Sequence, residues 1–182
     1  ASALSFMLEG LAKPVILTGS QLPIGEIRED GTENVITALQ IAAERIEQGL
    51  RAGQPMVQEV AISFGRHLWR GCRSTKESST DFGAFRSFNY PSLADMDLHI
   101  TYHQDFLRRA EQDKPLTLQT DMSETVGIIS VYPGLTQAVL ARQLETPGMQ
   151  GFVLRTFGAG NAPTASWFTD TIADAVKSGK VL

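Results

Sequence analysis

Residues 15–20 read VILTGS, a short apolar run that ends in turn-forming residues. Such a run is typical of a buried strand that passes directly into a loop. A helix is predicted next, from Thr32 to Gln48 with Gly49 at its end, and Val57–Phe64 is the following apolar run. A strand, a helix and a strand at this spacing predict a right-handed crossover between parallel strands. The sequence therefore predicts an α/β fold.

Two helices are predicted in this first part of the chain. The helix over 32–48 carries its apolar side chains on one stripe, which we expect to be buried. The stripe consists of Val35, Ile36, Leu39, Ala42, Ala43 and Ile46. A shorter amphipathic helix is predicted over 1–11, where Gly10 is suited to end it.

The alternation of strand and helix restarts near the end of the chain. Strands are predicted over 126–131 and 151–154, and helices over 135–144 and 166–177. Residues 66–95 are predicted as a loop, and residues 96–125 have no long periodic stripe. We therefore predict α/β units over 1–95 and 126–182, joined by a connection over 96–125. Because a helix starts the chain and a new apolar run, Val181–Leu182, ends it, we expect an internal piece of a longer protein.

Composition excludes several classes of protein. Of the 182 residues, 42% are hydrophobic and 20% charged, with a net charge of −4, which predicts a soluble globular protein with a real core. The basic residues are scattered, so neither nucleic acid nor an anionic membrane is the expected partner. No apolar run approaches the about 18 residues of a membrane-spanning helix. The single cysteine, Cys72, favours a reducing compartment such as the cytoplasm.

Lys76 is the first candidate for chemistry. It stands in a run of hydroxyl side chains, with Thr75 before it and Ser78, Ser79 and Thr80 after it. Hydroxyl groups could hold its ammonium group so that the lysine passes protons to a threonine or to water. A solvated lysine in a polar loop explains the same pattern, and the residues alone leave both interpretations open.

Other polar segments fit either a binding site or an ordinary turn. Residues 158–163, GAGNAP, lie between a predicted strand and helix, where backbone N–H groups could contact an anion. Residues 18–21, TGSQ, have the same ambiguity. The histidines, His67, His99 and His103, lack the spacing of metal ligands and are interpreted as surface or structural residues. Cys72 is interpreted as a buried thiol.

Several separate pieces of the sequence together resemble bacterial L-asparaginases, in particular the cytoplasmic type I branch. They are ASALSFMLE at 1–9, KPVILTGSQLP at 13–23, REDG at 28–31 with Asn34, RGCRSTK at 70–76, YPG at 132–134, LR at 154–155 and GAGNAP at 158–163. The resemblance implies two Rossmann-like α/β domains with largely parallel sheets, each incomplete here. Residues 1–95 then form the C-terminal part of the N-terminal domain, and residues 126–182 the first part of the smaller C-terminal domain.

The resemblance also implies a reaction, the hydrolysis of L-asparagine to L-aspartate and ammonia without a metal or an organic cofactor. In such enzymes one threonine attacks the amide, while a second threonine, a lysine and an aspartate relay protons. Lys76 matches the relay lysine. The motifs that carry the two threonines have no counterpart in this sequence, so no substrate-binding residue is assigned and the chain alone is expected to be inactive.

Further positions match features of the resembled family. Thr75 and Arg155 match positions of a second asparagine site that regulates some type I enzymes, although a structural ion pair explains Arg155 equally well. Asn161 matches a position in a loop that lies near the active site of a neighbouring subunit. A role in shaping the turn explains this residue as well. The resemblance implies self-association as a dimer or tetramer, L-asparagine and possibly L-glutamine as substrates, and a cytoplasmic location.

Two other functions stay open at this point. One is the glutaminase-type amidotransferase subunit for tRNA-dependent amidation, which shares the implied fold and catalytic set. The other is a catalytically inactive binding or assembly module, because both threonine motifs are missing from the sequence.

Overall fold

The computed structural model describes residues 1–111 and 113–182. They form two compact units, Ala1–Thr120 and Asp121–Leu182. The first contains α1 (Ser2–Met7), β1 (Leu8–Glu9), β2 (Val15–Leu17), α2 (Gly31–Ala43), β3 (Val60–Phe64), β4 (His67–Arg70), β5 (Thr75–Lys76), β6 (Phe85–Arg86), β7 (Ala94–Met96), β8 (Ile100–Tyr102) and β9 (Thr117–Leu118), with short 3₁₀ turns at Gly71–Arg73 and Gln104–Phe106. The second contains β10 (Val126–Ser130), α3 (Gln137–Leu144), β11 (Gly151–Arg155) and α4 (Ser166–Lys177). Across the part of the chain that the structure describes, none of the helices is long and apolar enough to span a membrane.

The first unit is built on a five-stranded sheet in the order β2-β3-β4-β7-β8. β2 and β3 are parallel, with Val15 opposite Val60 and Leu17 opposite Ile62, and α2 lies between them in the chain. The predicted strand, helix and parallel strand are therefore confirmed. The pairs β3-β4, β4-β7 and β7-β8 are antiparallel. The α/β class is confirmed, with a mixed sheet around one parallel pair.

Strands β4, β7 and β8 occupy segments that the sequence does not mark as strands. Only Gly65 and Arg66 connect β3 to β4, in a tight antiparallel turn. Gly65 has a φ of +59°, in the left-handed region that such turns favour. A two-residue turn with one glycine is a weak signal, which explains why residues 66–95 are predicted as a loop. β8 lies within the segment 96–125 and pairs with β7 in the first unit.

Helix α2 packs on β2 and β3 through a face that its apolar stripe does not predict. The buried residues are Gly31, Asn34, Ala38 and Ile41, which recur at helical spacing. By contrast, Val35, Ile36 and Leu39 are 44, 53 and 65% exposed. The expectation that the stripe is buried is wrong for these three residues. Gly31 lies against Ser20 and Ile24 of the loop after β2, where a Cβ would come within 3.1 Å of both side chains. Asn34 finds hydrogen-bond partners at the ends of β2 and β3.

Both helices of the first unit end earlier than predicted because the chain turns into extended pairing. α2 ends at Ala43, and Glu44 already has an extended ψ of 138°. Beyond it Arg45 pairs with Pro55, and the Ile46 N–H donates to the Gln54 carbonyl at 2.9 Å. α1 ends at Met7, and β1 then pairs antiparallel with β9.

The core of the first unit lies between α2 and the sheet. Every residue of β3 is buried, as its almost continuous apolar run predicts. The main cluster of buried apolar side chains contains Ile41, Val57, Ala61, Leu68, Leu93, Ala94, Met96 and Leu107.

The second unit follows its predicted order of strand, helix, strand and helix. β10 and β11 are parallel over five residue pairs, and α4 has its predicted bounds, Ser166–Lys177. Thr136 caps α3, since its hydroxyl accepts a hydrogen bond from the Val139 N–H at 3.4 Å. The helices and strands share a buried cluster of Ile129, Val131, Leu135, Leu140, Leu144, Phe152 and Phe168. Val181 forms a parallel bridge with Gly151, where another strand is predicted to start.

A buried ion pair joins β4 to the residue before β3. Glu59 is 4% exposed, and its carboxylate accepts hydrogen bonds from Arg70 Nε at 2.5 Å, Arg70 Nη2 at 3.1 Å and the Arg108 N–H at 2.8 Å. The Arg70 guanidinium also stacks 4.2 Å above the Tyr90 ring. Burial lowers the pKa of Arg70, but the hydrogen bonds and charge of Glu59 outweigh it and hold that pKa above its usual value.

We expect Glu59→Gln to lower the free energy of unfolding of the first unit by about 3 kcal/mol, because the partly buried Arg70 guanidinium then lacks its counter-charge. Glu77→Gln is the matched control, since Glu77 pairs with Arg86 at 3.3 Å on the surface, where such pairs contribute at most about 1 kcal/mol. Urea unfolding followed by circular dichroism measures both. Equal effects of the two substitutions would contradict a special role of the buried pair.

Candidate active site

A cavity of about 320 Å³ lies at the carboxyl ends of β2 and β3. Parallel strands commonly present ligand-binding loops at this edge. Lys76 lines the cavity from the hairpin β5-β6, and the loop after β2 lines it from the other side. The complete lining consists of Ala1, Leu17, Thr18, Gly19, Ser20, Ile62, Phe64, Lys76 and Phe85.

An apolar cluster forms the floor of this cavity and anchors the hairpin. In the hairpin, Lys76 lies directly opposite Phe85. The Phe85 ring packs against Phe64 of β3, with ring centroids 5.2 Å apart and planes tilted by 57°. Ile62, Phe64 and Ala84 are buried in the same cluster. The hairpin thus docks on the sheet through the neighbour of Lys76, which leaves the lysine at the cavity wall.

The buried amide of Asn34 ties together the ends of β2 and β3. Its Nδ2 donates to the Gly19 carbonyl at 2.9 Å and to Asp30 Oδ2 at 3.0 Å, while its Oδ1 accepts from the Gly65 N–H at 3.1 Å. Thr18 adds a second tie, since its hydroxyl donates to the Ser63 carbonyl at 2.8 Å. The loop after β2 is therefore held to β3 at two points.

Asp30 fixes the rest of that loop. Its carboxylate accepts hydrogen bonds from the N–H groups of Gln21, at 2.9 and 3.1 Å, and of Leu22, at 3.1 Å. The Gln21 side chain then donates to the Asp81 carbonyl at 2.8 Å, in the turn of the Lys76 hairpin. The sequence analysis assigns no role to Asn34 or Asp30, and it leaves Gln21, in the segment 18–21, open between a binding site and an ordinary turn. A polar asparagine within an apolar helix is the sequence signal that could have identified the first.

The hydroxyl groups that flank Lys76 in sequence serve the hairpin turn. Ser78 Oγ accepts hydrogen bonds from the N–H groups of Thr80 at 3.1 Å and Asp81 at 3.0 Å. The hydroxyls that share the cavity lining with Lys76 belong to Thr18 and Ser20. Thr75 and Lys76 are both exposed. The cavity lining thus brings Lys76 together with two hydroxyl-bearing residues from a distant part of the chain.

The other two candidate residues, Arg155 and Asn161, lie in the second unit. Arg155 is exposed at the end of β11, in register with Ser130 of β10. Asn161 is exposed in a turn, where its carbonyl accepts the Phe157 N–H at 2.9 Å. Its backbone therefore shapes the turn.

Two of the histidines bind one carboxylate. Asp95 lies 2.8 Å from His67 Nδ1 and 3.0 Å from His103 Nε2, and it accepts a hydrogen bond from the Ser92 hydroxyl at 2.8 Å. Partial burial raises the pKa of Asp95, but these hydrogen bonds outweigh it and leave that pKa below its usual value. Within residues 1–111 and 113–182, no three His, Cys, Asp or Glu side chains are grouped to hold a metal ion.

Comparison with known proteins gives matches along almost the whole chain. The model of the "Asparaginase, N-terminal" family matches residues 1–108, and that of the "Glutaminase/Asparaginase C-terminal domain" matches residues 125–182. The solved crystal structure of L-asparaginase I from Vibrio cholerae is 33% identical in sequence to this chain and superposes on it with a TM-score of 0.82. That alignment covers 100% of this chain and 52% of the solved one.

Curated relatives carry several names. L-asparaginase 1 from Escherichia coli K12 is 36% identical over 182 residues, 100% of this chain and 50% of the relative. The "60 kDa lysophospholipase" from Mus musculus is 38% identical over the same residues, which are 30% of its length. A glutamyl-tRNA(Gln) amidotransferase subunit from Methanococcus maripaludis is 30% identical over 167 residues, 90% of this chain and 38% of the relative. The chain thus spans half or less of the length of these relatives. With family models matched in both of its units, the chain belongs to the asparaginase family.

Proposed function

We propose that the complete protein containing this chain hydrolyses L-asparagine to L-aspartate and ammonia. The observation that carries the proposal is the cavity at the ends of β2 and β3, whose lining contains Lys76, Thr18 and Ser20. A cavity of this size, with an apolar floor and Thr18, Ser20 and Lys76 in its lining, suits a small amino acid. The family membership supplies the reaction class, and the relative from Escherichia coli carries the name L-asparaginase 1.

Lys76 is the proposed proton carrier of this reaction. A threonine hydroxyl loses its proton as its oxygen bonds to the amide carbon, and the leaving nitrogen gains a proton as ammonia departs. Water then attacks the ester, frees the threonine and leaves L-aspartate. A lysine amine that accepts and returns these protons serves both halves of the reaction. We propose that the two threonines come from segments of the protein outside residues 1–182, since their motifs are not in this sequence.

A glutaminase-type amidotransferase subunit is the second candidate function. It is supported by the 30% identity to the amidotransferase subunit from Methanococcus maripaludis along 90% of this chain. The two functions differ in the amide that is cleaved and in the acceptor of ammonia. Ammonia release from asparagine and from glutamine, each with and without glutamyl-tRNA, discriminates between them. A binding or assembly module predicts no release from either amide.

A cytoplasmic location and self-association are also proposed. The single cysteine supports the first. Self-association is supported by an exposed apolar face on α2, which consists of Val35, Ile36 and Leu39. Association between chains commonly covers faces of this kind. Light scattering of the complete protein should give a mass two or four times that of one chain. A monomeric mass across the accessible concentration range would contradict the association.

For the complete protein, we expect Lys76→Met to lower kcat about a thousandfold, because the substitution removes the proton carrier while keeping a side chain of similar length. Lys13→Met, at another exposed lysine, is the control and should keep the kcat of the unsubstituted protein. Ammonia release at saturating asparagine measures both variants. Near-normal turnover of Lys76→Met would contradict the catalytic role and favour the interpretation of Lys76 as a solvated loop residue.

We propose that Arg155 contributes to a regulatory asparagine site, with its guanidinium binding the carboxylate of the effector. Thr75 is proposed separately as a regulatory residue of the first unit. Arg155→Ala should then change the dependence of rate on asparagine concentration and leave the maximal rate within about twofold. The matched control is Arg142→Ala, at an exposed arginine of α3 paired with Glu145. Saturation curves measured from low to high asparagine provide the test. Identical sigmoidal curves before and after Arg155→Ala would refute the regulatory role.

A further inference from the structure

The side chain of Gln21 links two segments that contribute residues to the Lys76 cavity, the loop after β2 and the β5-β6 hairpin. Its backbone follows Ser20 in the loop after β2, and its amide Nε2 donates to the Asp81 carbonyl at 2.8 Å in the turn of the β5-β6 hairpin. The two residues are 60 positions apart in sequence. The loop after β2 is therefore tied to the hairpin by a hydrogen bond between a side chain and a main-chain carbonyl.

The near end of this bridge is firmly held. The Gln21 N–H donates to both oxygens of Asp30, at 2.9 and 3.1 Å, and Asp30 in turn binds the buried Asn34 at 3.0 Å. Asn34 is 4% exposed and connects to the Gly19 carbonyl at the cavity wall. The position of Gln21 is consequently set by α2 and the end of β2.

The hairpin turn that contains Asp81 is held less firmly than the Gln21 loop. The hairpin has two residues in each strand, and its turn is held by the Glu77 and Ser78 N–H groups, which donate to the Ala84 carbonyl at 2.8 and 3.3 Å. Docking of Phe85 on Phe64 anchors the base of the hairpin. Ser78 organises the turn internally. The Gln21 bond acts from outside the hairpin and resists rotation of the turn about the Phe85 anchor.

We propose that Gln21 is a positioning residue that holds the β5-β6 hairpin so that Lys76 stays at the cavity wall; its effect on catalysis rests on the proposed role of Lys76. Proton transfer requires the lysine nitrogen within hydrogen-bond reach of its partner. A hairpin released from Gln21 spends part of its time with Lys76 displaced. Loss of the Gln21 hydrogen bond therefore slows the chemical step and leaves substrate binding by other residues almost unchanged.

The first test is Gln21→Met in the complete protein, which removes the donor and keeps the length of the side chain. The expected result is a roughly five- to tenfold fall in kcat with KM within about twofold, the effect of losing one hydrogen bond that positions a reacting group. Amide hydrogen exchange at residues 77–84 should become faster. Gln48→Met, at an exposed glutamine in the turn after α2, is the control and should change neither property. An unchanged kcat in Gln21→Met, when the unsubstituted protein is active, overturns the proposed effect of Gln21 on catalysis.

A second variant separates positioning from a general loss of structure. In Gln21→Glu at neutral pH, a carboxylate faces the Asp81 carbonyl without a proton to donate, so kcat should fall below that of Gln21→Met. Protonation of the glutamate, with an ordinary pKa of about 4.3, restores a donor. The kcat of Gln21→Glu divided by that of Gln21→Met should therefore rise as the pH falls towards that pKa. A merely structural role predicts that this ratio stays constant.

The hydrogen-exchange measurement distinguishes failure of this proposal from failure of the proposed function. If the unsubstituted protein releases no ammonia, the function fails, and exchange at residues 77–84 alone decides the role of Gln21. Faster exchange in Gln21→Met than in Gln48→Met supports the bridge. Equal exchange in the two variants overturns it, whatever the activity.

Discussion

The arrangement of the first unit depends on the buried amide of Asn34. A buried amide without partners is strongly unfavourable, so this side chain is compatible with the core only because its polar atoms are bonded. Its partners are the Gly19 carbonyl, the Asp30 carboxylate and the Gly65 N–H. These groups belong to the end of β2, the start of α2 and the end of β3. One side chain therefore sets the helix on the sheet and aligns the two strand ends that line the cavity.

The same amide explains which part of the fold could be predicted from the sequence. The order β2, α2, β3 follows from two apolar runs and a helix between them, and it is confirmed. The buried face of α2 could not be predicted in this way, because hydrophobic periodicity counts apolar residues and treats asparagine as exposed. In the structure Asn34 and Ala38 face the sheet, while Val35, Ile36 and Leu39 face outwards. Long-range hydrogen bonds decide the orientation.

Prediction also failed where strands are short and their partners distant in sequence. β5 and β6 have two residues each and are separated by a polar run, so no alternation of apolar and polar residues marks them. The pattern around Lys76 allows a solvated loop as readily as a site. The resemblance of residues 70–76 to a known family singles out the lysine, and the pairing with Phe85, docked on Phe64, explains how it reaches the cavity. Residues 18 and 20 are the hydroxyl-bearing residues that share the cavity lining with it.

An exposed lysine on a two-residue strand needs external restraint if it is to transfer protons accurately. The apolar contact of Phe85 with Phe64 fixes where the hairpin meets the sheet, but dispersion and hydrophobic burial are weakly directional and tolerate rotation. Hydrogen bonds are directional and limit that rotation. The bond from Gln21 to the Asp81 carbonyl supplies such a restraint at the end of the hairpin farthest from the ring contact. Apolar docking and a directional tie thus restrict different motions of the same lysine. The chain that leads from Asn34 through Asp30 to Gln21 extends the rigidity of the core to a surface hairpin.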